Sequence, residues 1–318
     1  MHEFIPDNPY LLLTPGPLST SKAVRNALLR DWCTWDSDYN EDIVQNIRRR
    51  LTALASKARP EDYTVTLIQG SGSFSVEAVL GTAVPQNGKL LIINNGAYGS
   101  RMILMAKVLK LNFIEYSVIE TETPDPKALS KLLSENTDVT HVALVHCETT
   151  TGILNPLPEI ARVVKEHGKI FILDAMSSFG GIPLDMADYG IDFLVSSSNK
   201  CIQGVPGFAF VIAKKEELIK CRDNARSLCL NLYDQWKEMD KSGKWRYTSP
   251  THIVRAFYQA LDDLEAEGGI SARYGRYKEN QRLLVEGMST RGFQALLPAH
   301  LQSPIITSFL YPYPDFDF

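Results

Sequence analysis

The sequence offers little material for cross-linking. Its 318 residues include five cysteines, at 33, 147, 201, 221 and 229. The count is odd, no two cysteines have CxxC spacing, and no histidines stand beside them at metal-ligand spacing. A disulfide framework and a structural zinc site are therefore excluded, and reduced thiols are expected. An excess of charge of one sign is also missing: 33 Lys and Arg stand against 37 Asp and Glu, for a formal net charge of −4. Nucleic-acid binding needs concentrated positive charge to neutralise phosphates, so that class of function is disfavoured. The longest basic run, Arg48-Arg49-Arg50, lies in a helical pattern and reads as a solvated face. No apolar run approaches the length of a bilayer span. The opening MHEFIPDNPYLLLTPGP lacks the basic-then-apolar order of a signal peptide. Internal repeats and low-complexity segments are absent as well. A soluble, cytoplasmic protein that binds neither nucleic acid nor membrane is expected.

What remains is an ordinary globular composition, 44% hydrophobic and 22% charged. The chain is long enough for one large α/β domain and a smaller one. Short apolar runs alternate with helical patterns, the mark of a largely parallel sheet covered by helices. Strands are predicted at 64–68, 89–93, 113–118, 141–146, 169–174, 193–197 and 208–213, with helices near 20–30, 40–57, 74–84, 98–110, 126–135 and 156–167. Beyond Tyr247, SPTHIVRAFYQALDDLEAEGG reads as a long helix ended by a glycine pair. A second helix from Ala272 to about Arg291 and a strand-like run at 305–311 follow. The expected division is an N-terminal segment 1–15, a large domain 16–255 and a small C-terminal α/β domain 256–318. That small domain stops after its first strand and is expected to be incomplete.

Four candidate site segments lie where strands run out, which is where open α/β sheets bind ligands. In QGSGSFSVEAVLG, Gly70-Ser71-Gly72-Ser73 links a strand to a helix. Glycines admit close backbone approach and a helix start offers free N–H groups, so the loop suits a phosphate. It does not match GxxxxGK[ST], and no carboxylate follows Ile93-Asn94-Asn95 to hold a ribose, which counts against nucleoside triphosphates and dinucleotides. In KIFILDAMSSFGG, Asp174 closes a buried strand, as a helix cap or as a carboxylate for a ring nitrogen. In SSSNKCIQGVPGF, Lys200 stands among small residues with no acidic neighbour in sequence. In NNGAYGSR, Tyr98 between glycines offers either core packing or an exposed ring for stacking. A phosphate loop, a carboxylate for a pyridinium nitrogen and a lysine for a Schiff base, in this order on an α/β pattern, are what pyridoxal phosphate requires.

At these residues the sequence resembles the class V aminotransferases, which have the fold-type I pyridoxal-phosphate architecture, and among them the 2-aminoethylphosphonate–pyruvate transaminases. The resemblance is carried by LLLTPGPLSTS, DWCTWD, QGSGSFSVEA, NGAYGSRM, HCETTTGILNP, DAMSSFGG, SSSNKCIQGVPGF and WRYTSPTH, and spans nearly the whole chain. It implies pyridoxal 5′-phosphate attached to Lys200 and paired through its ring nitrogen with Asp174. It further implies Ser71, Gly72 and Ser73 at the phosphate, Tyr98 on the ring, Thr150 near the ring hydroxyl, Asn199 beside the lysine and Gly16 near the substrate. Thr248 would reach the cofactor of a neighbouring subunit, making a homodimer with shared sites. The implied reaction converts 2-aminoethylphosphonate and pyruvate to phosphonoacetaldehyde and alanine.

One departure from the family is expected to matter. The family's C-terminal arginine, which grips the acidic end of the substrate, has no counterpart before Phe318, and Arg273, Arg276, Arg282 and Arg291 lie in helical patterns. The reading is therefore a fragment that retains every cofactor element. Rival readings are an alanine– or serine–glyoxylate aminotransferase, a lyase on the same cofactor, and a non-catalytic paralogue. Cysteine desulfuration is disfavoured because Asn199, not histidine, precedes the lysine.

Overall fold

The computed structural model describes residues 7–317. Seven strands form one sheet in the order β1-β7-β6-β5-β4-β2-β3. They are β1 (Tyr63–Gln69), β2 (Lys89–Asn94), β3 (Asn112–Ser117), β4 (His141–Val145), β5 (Ile170–Asp174), β6 (Phe193–Ser197) and β7 (Phe208–Lys214). All seven fall on the apolar runs predicted as strands. Strand β7 is antiparallel to both β1 and β6, and the other pairings are parallel. Six strands therefore run one way and β7 alone runs back.

Helices cover both faces, which explains the continuous apolar runs: a strand buried on two sides has no polar face to alternate. Successive residues enter opposite layers, as a pleated strand requires. Leu144, Leu173 and Leu194 join one core, while Ala143, Ile172 and Val195 join the other. The first core is covered by α1 (Asn46–Ala55), α4 (Pro126–Glu135), α5 (Leu157–Glu166) and α7 (Thr251–Ala266), the second mainly by α2 (Gly72–Ala83) and α3 (Ala97–Val108). Two further helices are α6 (Leu232–Ser242) and α8 (Gly269–Ser289). Phe257 of α7 meets Phe208 of β7 edge-on, with ring centroids 5.1 Å apart, and ties that helix to the one reversed strand.

The C-terminal part departs from the expectations in three places. Helix α6 was not expected, although Asn231 caps it by accepting the Asp234 N–H and Gly243 ends it at φ +72°. Both are ordinary helix signals. Helix α8 starts at the glycine pair itself, not at Ala272: Gly268 and Gly269, at φ +103° and +76°, turn the chain and the helix begins there. The run 305–311 is not a strand. It meets 294–296 through the Ala295–Phe309 bridge and the bonds from Leu296 N to Ser308 O and Leu310 N to Gln294 O, too few successive pairs for a ladder. Near 20–30 only Lys22–Asn26 is helical.

Candidate active site

Because β1, β2, β4, β5 and β6 point the same way, the segments that follow them leave one edge of the sheet. Ser71, Tyr98, Glu148, Asp174 and Lys200 are far apart in sequence and are gathered there by topology alone. A cleft of about 220 Å³ opens at this edge, lined by Ser71, Gly72, Ser73, Tyr98, Asp174 and Lys200, with Asn199 and Arg101 also on its wall.

The phosphate-type loop is built by a sharp exit from β1. Gly70 takes φ +116°, and a Cβ there would lie 2.8 Å from the Phe74 ring. Helix α2 starts immediately, with Ser71 in the cap position and its hydroxyl unused for capping. The first N–H groups of a helix have no partner within it, so Gly72 and Ser73 present donors at this wall. Gly72 is packed against Met176, whose Cε would be 2.3 Å from an added Cβ.

Asp174 ends β5 and is buried, with 5% exposure. No helix follows it, so the capping reading is set aside: residues 175–181 form successive turns. Its Oδ1 accepts the Met176 N–H at 2.9 Å, the one hydrogen bond the carboxylate makes among the described residues. Burial, partly offset by that N–H, pushes the carboxyl up to about 6. His146, at the end of β4, bonds through Nδ1 to Ser178 at 2.9 Å and ties β4 to this turn. Burial pushes the His146 imidazole down to about 4.

Lys200 follows β6 after Ser198 and Asn199 and is half-buried. Burial lowers the ammonium's pKa, with Cys201, Asp174 and Cys147 opposing. Its Nζ donates to Pro15 O at 3.4 Å. Gly16 lies against the same side chain: an added Cβ would sit 2.6 Å from Lys200 Cδ, and φ of +147° is itself unfavourable to any side chain. Glycine at 16 is what lets the N-terminal segment pass over the lysine.

Of the remaining expected residues, Tyr98 is at the cleft and Thr150 and Thr248 are not among its lining. Tyr98 lines the cleft but is half-buried, packing its inner edge against the core. Thr150 is exposed and does not line the cleft, and its carbonyl accepts the Ser308 hydroxyl at 3.0 Å. The preceding Thr149, not singled out in the sequence, turns toward the Asp174 loop and bonds Ser177 Oγ at 2.7 Å. Thr248 is exposed and lines a neighbouring cavity with Gln69, Gly70, Phe74 and Tyr247, on the far side of the Gly70 turn.

Three other side chains join the site. Glu148, fully buried, accepts the N–H groups of Gly99 at 2.9 Å and Tyr98 at 3.2 Å, so its carboxylate seals the start of α3. Gly96 makes room for it, since a Cβ there would be 2.6 Å from the carboxyl carbon. Arg101 lies 4.7 Å over the Tyr98 ring and donates to Ser73 Oγ at 3.2 Å. Ser197 lines the cleft with a buried hydroxyl that has no partner among the described residues. HCETTTG and NGAYGSR contain the first two, but nothing in sequence shows that the two segments meet.

A family profile described as Aminotransferase class-V matches residues 37–312. A 2-aminoethylphosphonate–pyruvate transaminase of Syntrophobacter fumaroxidans is 59% identical over 98% of this chain and 84% of its own length. A protein of the same name from Bacteroides fragilis is 59% identical over 98% of this chain and 86% of its own. Among solved structures, a pyridoxamine-pyruvate aminotransferase from Mesorhizobium loti superimposes with a TM-score of 0.86 at 24% identity, over 97% of this chain and 78% of its own. At that identity the likeness is one of fold.

Proposed function

The chain belongs to the class V aminotransferase family, with its fold-type I architecture, and from that premise we propose that it binds pyridoxal 5′-phosphate and transfers an amino group from 2-aminoethylphosphonate to pyruvate. The products are phosphonoacetaldehyde and L-alanine. The observation that carries the reading is one cleft holding Lys200, Asp174 and the Ser71–Ser73 helix start. The 59% identity to relatives bearing that activity in their names narrows it to this donor and acceptor.

The residues present fit the cofactor. Among the described residues Asp174 makes one hydrogen bond, through Oδ1, which leaves its other oxygen for a ring N–H donor. Ser197 offers a second unpartnered polar atom in the wall. Gly72 and Ser73 supply backbone donors at a helix start, Ser71 and Ser73 supply hydroxyls, and the Arg101 guanidinium adds positive charge beside Ser73. When bound, pyridoxal phosphate supplies an electrophilic aldehyde and a ring that accepts electrons.

These placements, with the family resemblance, support the following parts for the protein's residues. Lys200 would hold the cofactor and, as a free amine, would serve as the base for the proton on the donor's amine-bearing carbon; partial burial favours the neutral amine this needs. Asp174 would accept a hydrogen bond from a protonated ring nitrogen and so hold that proton in place. Tyr98 would pack against the ring, Asn199 flanks the lysine, and Gly16 lets the N-terminal segment pass over Lys200. Thr150 would contribute to the ring-hydroxyl side through its turn, in which Thr149 bonds Ser177 beside Asp174. Thr248 serves a neighbouring subunit's phosphate loop in a cytoplasmic homodimer.

Borohydride treatment of the protein loaded with cofactor, followed by peptide mass analysis, is expected to find the added mass on Lys200. Alanine should form only when 2-aminoethylphosphonate and pyruvate are both present, and Lys200→Ala should reduce its rate by at least about a thousandfold. A Lys200→Ala protein that transaminates at the wild-type rate would sink the reading. Glycine formation from glyoxylate with alanine or serine as donor, and no alanine from 2-aminoethylphosphonate and pyruvate, would favour the glyoxylate aminotransferases instead.

A further inference from the structure

Helix α8 sends two side chains, one helical turn apart, onto the turn that begins at Lys200. Arg273 is 1% exposed and heads the largest fully buried side chains. Its Nη1 donates to Cys201 O at 2.7 Å, while Nε and Nη2 each reach Glu267 at 2.8 Å. Tyr277, four residues on and so on the same helix face, receives at its hydroxyl the Gln203 Nε2–H at 2.9 Å.

The turn these residues grip needs outside support. Gln203 N–H closes it on Lys200 O at 2.8 Å. Gln203 does so at φ +67°, a left-handed conformation uncommon for a residue other than glycine. A buried guanidinium is itself costly unless its donors are met. Glu267, held also by Arg276 at 2.6 Å, meets two of them, and the carbonyl next to Lys200 meets another. Neither Arg273 nor Tyr277 lines the cleft, so any effect on chemistry passes through the turn.

We propose that Arg273 and Tyr277 form a clamp that positions Lys200, fixing the Lys200–Gln203 backbone and so the direction from which Nζ enters the cleft. They are positioning residues, and the proposal rests on the reading above that Lys200 carries the cofactor. Helix α8 thereby couples the C-terminal part of the chain to the reacting amine.

The test uses holoenzyme carrying Tyr277→Phe, which removes one hydroxyl, and Arg273→Lys, which keeps the buried charge but loses the fork. Both changes leave Asp174 and Cys147, which act on Lys200, in place, whereas Arg273 and Tyr277 themselves act on the Cys201 thiol beside it. The readouts are the pH midpoint of the absorbance change of the lysine-bound cofactor, kcat and KM separately, and the thermal midpoint. Both variants are expected to shift the absorbance midpoint by about half a unit or more. They should also lower kcat about tenfold with KM for both substrates within about twofold. A lowered thermal midpoint with the absorbance midpoint and kcat unmoved in Tyr277→Phe overturns the clamp, because the contacts would then be structural only. A wild-type protein whose Lys200 stays unmodified after borohydride overturns the functional reading and the clamp with it, whereas a normal wild type with unmoved variants overturns the clamp alone.

Discussion

Asp174 stands where a carboxylate is costly, and its place at the end of a buried strand makes that cost measurable. Its ordinary value of 3.8 is raised by burial to about 6 in the folded chain. The folded state therefore binds a proton more tightly than the unfolded one, and this group makes the cofactor-free protein less stable as pH rises from about 4 to about 6. His146 acts in the opposite sense: its imidazole is pushed down to about 4, so its contribution is lost as pH falls below its ordinary range. Comparing wild type with Asp174→Asn at each pH cancels the histidine. In urea unfolding of the cofactor-free proteins, Asp174→Asn should equal wild type near pH 4 and exceed it at pH 8 by up to about 3 kcal/mol. Catalysis should be lost in the same variant. Asp174 and Lys200 were legible in the sequence because few other chemistries need a lone carboxylate and a lone lysine at such strand ends. Arg101 and Glu148 were not, since their roles depend on contacts with residues remote in sequence; nor was Thr149, because side-chain direction within a turn is not written in spacing.

At the scale of the element, α3 shows how a distant residue finishes a helix. Gly96 in the cap position has no side chain to accept the first N–H groups, and Glu148 from the turn after β4 supplies the oxygens. The negative charge also suits the positive end of the helix. Glu148→Ala should lower stability by about 2 kcal/mol, as expected for two N–H groups deprived of a charged acceptor. Because the same bonds fix Tyr98, cofactor affinity followed by absorbance titration should fall as well. Glu148→Gln, which keeps an acceptor oxygen, should lie between the two. The seven strands were legible because burial on both faces writes unbroken apolar runs. Strand order was not: β1 and β7 pair along their whole length across a long stretch of intervening chain, and no local pattern marks that choice. Helix α6 is amphipathic with many charged residues, so its signals were its caps more than its apolar face.

At the scale of the whole molecule, Thr248 does not line its own chain's Lys200 cleft, and the surface near it carries exposed Phe74, Leu228 and Tyr247. A second copy of the chain seated on this face would bring Thr248 to the partner's phosphate loop. Thr248→Ala should weaken cofactor binding about tenfold, the size of one hydrogen bond to a charged group. Mixing Thr248→Ala chains with Lys200→Ala chains then separates sharing from its absence. In a mixed pair, one site combines an intact Lys200 with an intact Thr248 from its neighbour. That site should regain wild-type cofactor affinity and turnover, so half the sites of each mixed pair should work. No gain on mixing would place Thr248 within its own subunit's economy and leave the site unshared.

The single reversed strand also sets an order of assembly. Strand β1 stands at an edge of the sheet, with Tyr63 opposite Lys214 and Gln69 opposite Phe208. A ribosome releases the phosphate loop early, yet β1 has no sheet neighbour until β7 has been made. Meanwhile β2, β3, β4 and β5 can pair as soon as Asp174 emerges. At ordinary elongation rates the interval between β1 and β7 lasts on the order of ten seconds, and such long-range pairing is slow in any case. The nascent chain thus carries its anion-binding turn unsupported from Gln69 until Phe208 is made, and any ligand that needs this turn in place can load only once the sheet is finished.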